Sequence, residues 1–183
     1  MMYRSLHLNL TWARLSGVSL AAVLLLAACS RGGESAGQAP AATGPAATAP
    51  AITFGSTTVT LAGKPFTLEV AQNDAQHERG LMFRKLMPAD HGMLFVFSEP
   101  DKYAFWMHNT DIPLDIIFLD PSGKIVDIFQ GKPHDDTLLK TRSPALFVIE
   151  LNAGTAKALG LKVGSTIHLP EKYLKPTGGP NDK

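Results

Sequence analysis

Five polar side chains in one part of this chain have types suited to recognition: Arg79, Arg84, Trp106, Asn109 and Asp115. Arginine presents a planar fork that matches a carboxylate, a phosphate or an acidic sugar. Tryptophan offers a flat face for a sugar ring, and asparagine both donates and accepts. Together they can line a small ligand pocket. A structural reading competes with this. Asn109 can hold its own turn, Asp115 can pair with Arg79 or Arg84, and Trp106 can belong to the core, since buried polar groups need partners with or without a ligand. Other chemistry has less support. His91, His108 and His134 with Asp111, Asp135 and Asp136 are the metal-ligand types present, but they show no paired-histidine zinc spacing and no acidic calcium loop. Exposed loop histidines, with no metal and no cofactor, are the expectation. No Gly-x-Ser-x-Gly elbow and no phosphate-cradling glycine loop occurs. Acid–base chemistry by Asp115 or Glu150 stays open. Glu150 lies on an apolar strand, where burial would raise its pKa, although a solvated, outward-facing glutamate is the simpler expectation.

The chain has a single cysteine, Cys29, so no internal disulfide can form. Before it, Arg4 and Arg14 are the only formal charges, and Leu15 to Ala28 is mostly apolar and too short for a comfortable bilayer span. Leu26-Ala27-Ala28-Cys29 resembles the lipobox of bacterial lipoproteins. That resemblance implies a signal peptide over residues 1–28 and acylation of Cys29, which would anchor the chain to a membrane. Ser30 follows in place of an aspartate, so the expected location is the outer membrane, facing the periplasm.

Residues 29–51 hold Ala, Pro, Gly, Thr and Ser without an aromatic residue. Such a segment cannot bury enough apolar surface to offset its ordering entropy, and it reads as a tether. After Cys29 the charges nearly balance, which leaves no electrostatic footprint for nucleic acid. Residues 52–170 carry the apolar patterning of a single domain, and 171–183 read as a polar tail.

Short strands dominate that domain. Thr57–Leu61 and Phe66–Val70 flank Ala62-Gly63-Lys64-Pro65, a hairpin signal. Asn73 with Gln76 three residues later suggests a capping box and a short helix through His77 and Arg79. Gly92–Phe97 is a continuous apolar run suited to a strand buried on both faces. Glu99–Asp101 reads as a turn and Tyr103–Met107 as a strand. Asp115–Asp120 and Lys124–Gln130 flank the turn Pro121-Ser122-Gly123. Gly131–Pro144 looks like a long polar loop and Ala145–Leu151 like a strand. Asn152 is expected to cap a second short helix, and Thr166–Leu169 to form the last strand. The expected class is mainly β, a β-sandwich or partly closed barrel with two short helices. Met82, Met93, Phe95, Phe97, Phe105 and Met107 should form its core.

The order of motifs carries a likeness. Arg79-Gly80-Leu81-Met82-Phe83-Arg84, Gly92–Phe97, Phe105-Trp106-Met107-His108-Asn109-Thr110, Ile112-Pro113-Leu114-Asp115-Ile116, Glu150–Gly154 and Gly160–Gly164 together resemble the domain of unknown function family 192 (uncharacterised protein family 0127). The likeness spans about Val59 to Leu169. It implies a compact, mostly β domain, often secreted or lipid-anchored, and carries no established activity. Many relatives have a cysteine before the Glu-Leu-Asn-Ala-Gly strand; here Gly131–Pro144 contains none, so no role can rest on it. Three functional expectations follow: an envelope lipoprotein that binds a small polar ligand or a partner protein, an acid–base enzyme acting on a cell-wall or glycan component, or an envelope-assembly factor.

Overall fold

The computed structural model describes residues 2–3 and 51–174. Cys29, most of the candidate signal peptide and the tether up to residue 50 lie outside the described residues, as do residues 175–183. Among the described residues no helix is long and apolar enough to cross a membrane.

The fold is mainly β. In chain order the elements are β1 (Met2–Tyr3), β2 (Gly55–Leu61), β3 (Lys64–Ala71), α1 (Asp74–Arg79), β4 (His91–Asp101), β5 (Ala104–Phe105), β6 (Leu114–Leu119), β7 (Ile125–Gly131), β8 (Leu139–Lys140), β9 (Ala145–Asn152), α2 (Thr155–Ala158) and α3 (Glu171–Leu174). Six strands form one mixed sheet in the order β2-β3-β4-β9-β6-β7, and β5 pairs with β8, and with β1, in a small second sheet. The large sheet is open: its end strands β2 and β7 do not pair with each other, so it does not close into a barrel.

Local chemistry accounts for the hairpins. Leu61 pairs with Lys64, so Ala62 and Gly63 alone make the β2–β3 turn. Both have positive φ, 47° and 81°, the type I′ geometry that matches strand twist and that glycine adopts without steric cost. In the β6–β7 turn the Asp120 carboxylate accepts from the backbone N–H of Ser122 and Lys124 at 2.8 and 3.0 Å. The β3–β4 pair is parallel, and α1 lies in its crossover. Asn73 caps α1, its side chain accepting from Gln76 N–H at 3.0 Å. Gln76 Oε1 closes the box on Gln72 N–H, one residue earlier than expected. On the inner side of α1, His77 is buried. Its Nε2 donates to the carbonyls of Ala71 and Val96, each at 3.1 Å, pinning the helix across β3 and β4.

Two cores lie on opposite faces of the large sheet, as the period of two along each strand requires. The first takes Val59, Leu68, Leu94, Ile117, Ile149 and Leu151 from the strands, with Ala156 of α2 and Tyr173 of α3. The second takes Met93, Phe95, Ile116, Phe118 and Val148, covered by Leu81, Phe105 and Met107. Phe95, Phe105, Phe118 and Phe129 meet edge to face in series, with centroids 5.1, 5.4 and 5.8 Å apart. The aromatic and methionine block is therefore core, as its patterning indicates.

Several local expectations give way to tertiary contacts. Glu99–Asp101 continues β4 rather than turning. Of Tyr103–Met107 only Ala104–Phe105 is strand, and Thr166 makes only an isolated bridge to Lys124. Asn152 does not cap α2; its amide donates to the carbonyls of Met87 and Pro88, both at 3.1 Å, and Gly154 stands at the cap. A third helix, α3, falls within the expected polar tail, and burial of its Tyr173 extends the folded unit past residue 170.

Candidate functional site

The five recognition candidates separate onto different parts of the fold. Asp115 is 1% exposed and shares its face with Ile117 and Leu119, the α2 side of the sheet. Its Oδ2 accepts from Ala156 N–H at 2.8 Å and its Oδ1 from Gln130 Nε2 at 3.4 Å. Gly154 supplies no side-chain cap to α2, so the carboxylate of a strand 41 residues away does so. Asp115 pairs with neither Arg79 nor Arg84. Asp115→Ala is expected to lower stability by about 1–3 kcal/mol, because it leaves the buried Ala156 N–H unanswered; urea unfolding measures it, and an unchanged midpoint would refute this role. Arg84 is also engaged, its Nη2 meeting both oxygens of Glu69 at 2.7 and 2.9 Å.

The other three candidates gather at one place. Ala75, Glu78 and Arg79 of α1, with Met82 just beyond it, follow the i, i+3, i+4, i+7 spacing of one helix face. They line a cleft of about 330 Å³, closed by Ile52, Phe83, His108 and Asn109. Arg79 lies over the Phe83 ring at 4.7 Å, a cation–π contact that holds the guanidinium in place. Arg84 and Arg142 pair with carboxylates, whereas Arg79 makes no ion pair among the described residues. Trp106 lies next to this cleft, stacked on the His108 ring with centroids 5.0 Å apart. Its Nε1 is buried without a hydrogen-bond partner among the described residues.

Backbone strain marks the same spot. Phe83 and Asn109 both have positive φ, 63° and 52°, and Phe83 N–H donates to the Asn109 carbonyl at 2.8 Å. Asparagine tolerates this region, but for a bulky residue such as phenylalanine it is strained. The strain presents an aromatic ring that is 52% exposed. The Asn109 side-chain amide makes no hydrogen bond among the described residues, so it does not serve its own turn.

The histidines form pairs rather than a cluster. His108 Nδ1 meets Asp136 Oδ1 at 2.8 Å, and His134 Nε2 meets Asp111 Oδ1 at 3.2 Å beside Lys85, while His91 contacts Asp90. Among the described residues no three His, Cys, Asp or Glu side chains gather around a common metal position. The Asp136 contact takes up Nδ1 of His108 and leaves Nε2 without a hydrogen-bond partner among the described residues.

Glu150 departs most from its simpler expectation. It is 3% exposed, sits in the second core between its cross-strand partners Met93 and Ile116, and its Oε2 has no hydrogen-bond partner among the described residues. Burial pushes its carboxyl up to about 7.

Sequence reasoning missed Glu78 and Phe83 as cleft residues and weighed His108 only as a metal ligand. The helical spacing of Ala75, Glu78 and Arg79 was the available signal.

The sequence profile of DUF192, described as an uncharacterized ACR, matches residues 57–169. The chain belongs to the DUF192 family. Two solved structures share its fold. One is a Sinorhizobium meliloti protein provisionally described as a transcription regulator, 37% identical, with a TM-score of 0.60 over 65% of this chain and 97% of its own. The other is a Novosphingobium aromaticivorans protein of unknown function, 36% identical, with a TM-score of 0.57 over 67% of this chain and 94% of its own. No curated protein matches the chain. The aligned part of this chain thus accounts for nearly the whole of both solved relatives.

Proposed function

We propose that this DUF192 protein is a lipid-anchored envelope protein whose β domain binds a small polar ligand in the cleft between α1 and the loop that carries Asn109. The strained Phe83–Asn109 pair carries this reading. Two left-handed residues joined by a hydrogen bond hold an exposed ring, and an amide without a hydrogen bond among the described residues, beside an arginine that stacks on that ring and makes no ion pair there. Packing alone gives no reason to strain a phenylalanine towards solvent. Trp106 and the Asp136-oriented His108 back the same wall. Asp115 and Arg84, tied to partners of their own, support the fold rather than the cleft. The acid–base reading loses Asp115 to its capping role, and Glu150 is shut into the core. Anchoring rests on the lipobox-like Leu26–Cys29 and the tether that follows.

The test is a thermal-shift screen of the full chain against acidic sugars, amino acids, dipeptides and peptidoglycan fragments. A saturable rise in Tm is expected, because a ligand that binds only the native state stabilises it. Asn109→Gly keeps the left-handed backbone and removes the amide, so it should weaken binding about tenfold, the equivalent of one hydrogen bond of about 1.4 kcal/mol. Asp115→Ala should lower Tm without changing affinity. Equal affinity in wild type and Asn109→Gly would place any ligand elsewhere. Radiolabelled palmitate incorporation tests the anchor: Cys29→Ser should abolish it, and retained label would refute the assignment.

A further inference from the structure

The cleft presents two charges of opposite sign, and neither is paired with an opposite charge among the described residues. Glu78 and Arg79 both line it, both are exposed, and neither makes an ion pair among the described residues. Elsewhere Glu69, Asp111 and Asp127 are each tied to a cation, while the exposed Asp74 and Asp101 make no ion pair among the described residues. A singly charged anion would satisfy Arg79 but meet repulsion from Glu78, and a cation would face the reverse. A dianion such as phosphate is disfavoured further. A ligand with one positive and one negative group answers both charges. The remaining walls, Ile52, Met82 and Phe83, are apolar, and Asn109 and His108 add an amide and an imidazole nitrogen. A carboxylate, an ammonium, an amide-pairing group and a short apolar side chain are the features of an amino acid or a short peptide. The volume of about 330 Å³ fits that size.

On these grounds, and resting on the cleft reading above, we infer that the cleft recognises a zwitterionic α-amino acid or dipeptide with an apolar side chain. Arg79 takes the carboxylate, as arginine's fork suits, and Glu78 takes the ammonium. Phe83 does two things: its ring holds Arg79 in place from one side and contributes to the apolar wall.

Isothermal titration of the full chain with leucine and alanyl-leucine tests this, alongside N-acetyl-leucine, leucinamide, glucuronate and inorganic phosphate. The zwitterions should bind at least about tenfold more tightly than N-acetyl-leucine or leucinamide, since each capped form loses one charge-assisted contact. Arg79→Gln should weaken leucine and N-acetyl-leucine alike. Glu78→Gln should weaken leucine about tenfold and leave N-acetyl-leucine unchanged or tighter. Both positions are exposed, and an unchanged Tm in each variant shows that the fold is intact. Binding of glucuronate or phosphate in the absence of zwitterion binding would overturn this inference and leave the cleft reading standing. Zwitterion binding that Glu78→Gln does not weaken would also overturn it. No binding of any of these probes would overturn this inference, and no shift in the wider thermal screen as well would refute the cleft reading.

Discussion

Glu150→Gln is expected to stabilise the folded domain by about 3 kcal/mol at pH 8 and to change little at pH 4. The carboxyl sits on β9 with apolar cross-strand neighbours on both sides, Met93 and Ile116, and no partner for Oε2 among the described residues. Burial raises its pKa from 4.5 to about 7. Below about pH 4.5 the acid is protonated in both folded and unfolded chains, and it costs nothing in linkage terms. Between 4.5 and 7 the unfolded chain releases the proton while the folded chain keeps it. The folded state then binds more protons, so stability falls as pH rises. At about 1.4 kcal/mol per pK unit the full loss is of order 3 kcal/mol above pH 7. Glutamine has the shape of the neutral acid and does not titrate. Urea unfolding at pH 4, 6 and 8 measures the difference. Parallel stability curves for wild type and variant would show that Glu150 does not carry this proton. His77 acts in the opposite direction. Desolvation lowers its pKa below 6.5, so the fold loses stability as pH drops below that value. In Glu150→Gln the histidine trend joins that of the aspartates held low by their partners, such as Asp127 beside Arg142, and stability should fall only on the acid side.

Gly92→Ala is expected to cost about 3 kcal/mol or more, at the upper end for a forced small-to-large change in a packed core. Gly92 pairs with Leu151 in the middle of the sheet, between β3 and β9. A Cβ there collides with the Glu150 carbonyl oxygen and stands 2.8 Å from Leu151 Cδ2 and 2.9 Å from Leu68 Cδ2. The leucine tips can swing, but the carbonyl belongs to the β9 backbone and its ladder, so relief requires β4 and β9 to move apart. Denaturant unfolding should show a lower midpoint with an unchanged slope. Gly55→Ala is the control, since a Cβ there has nothing within 4 Å and should shift stability by no more than about 0.5 kcal/mol. Equal midpoints for the two variants would mean that the close approach at Gly92 relaxes without cost.

The two hairpin turns, the α1 cap and face periodicity were legible in the chain because each rests on contacts between residues close in sequence, whereas the expected Glu99–Asp101 turn and Asn152 cap gave way to distant partners. Ala62-Gly63 set the first hairpin, Asp120 set the second, and Asn73 started α1. The run Gly92–Phe97 announced a strand covered on both sides, and it is buried on both. The family motifs pointed to one mainly β domain, and the DUF192 match covers it. Partner choice was not legible. A period of two says which residues share a face, but not which strand lies alongside or what covers that face. Strand β9 inserts between β4 and β6, and this buries Glu150 and carries Ala156 under Asp115. Arg84 finds Glu69 only because the parallel β3–β4 pair brings the crossover back over β3. The cleft depends on the same kind of event. The helical spacing of Ala75, Glu78 and Arg79 marks a face, yet Asn109 and His108 reach it only through a backbone hydrogen bond between loops 26 residues apart. Local sequence determined the elements, because turn and cap energies are local. The tertiary structure alone decided the site, because the contacts that build it become available only after distant strands have paired.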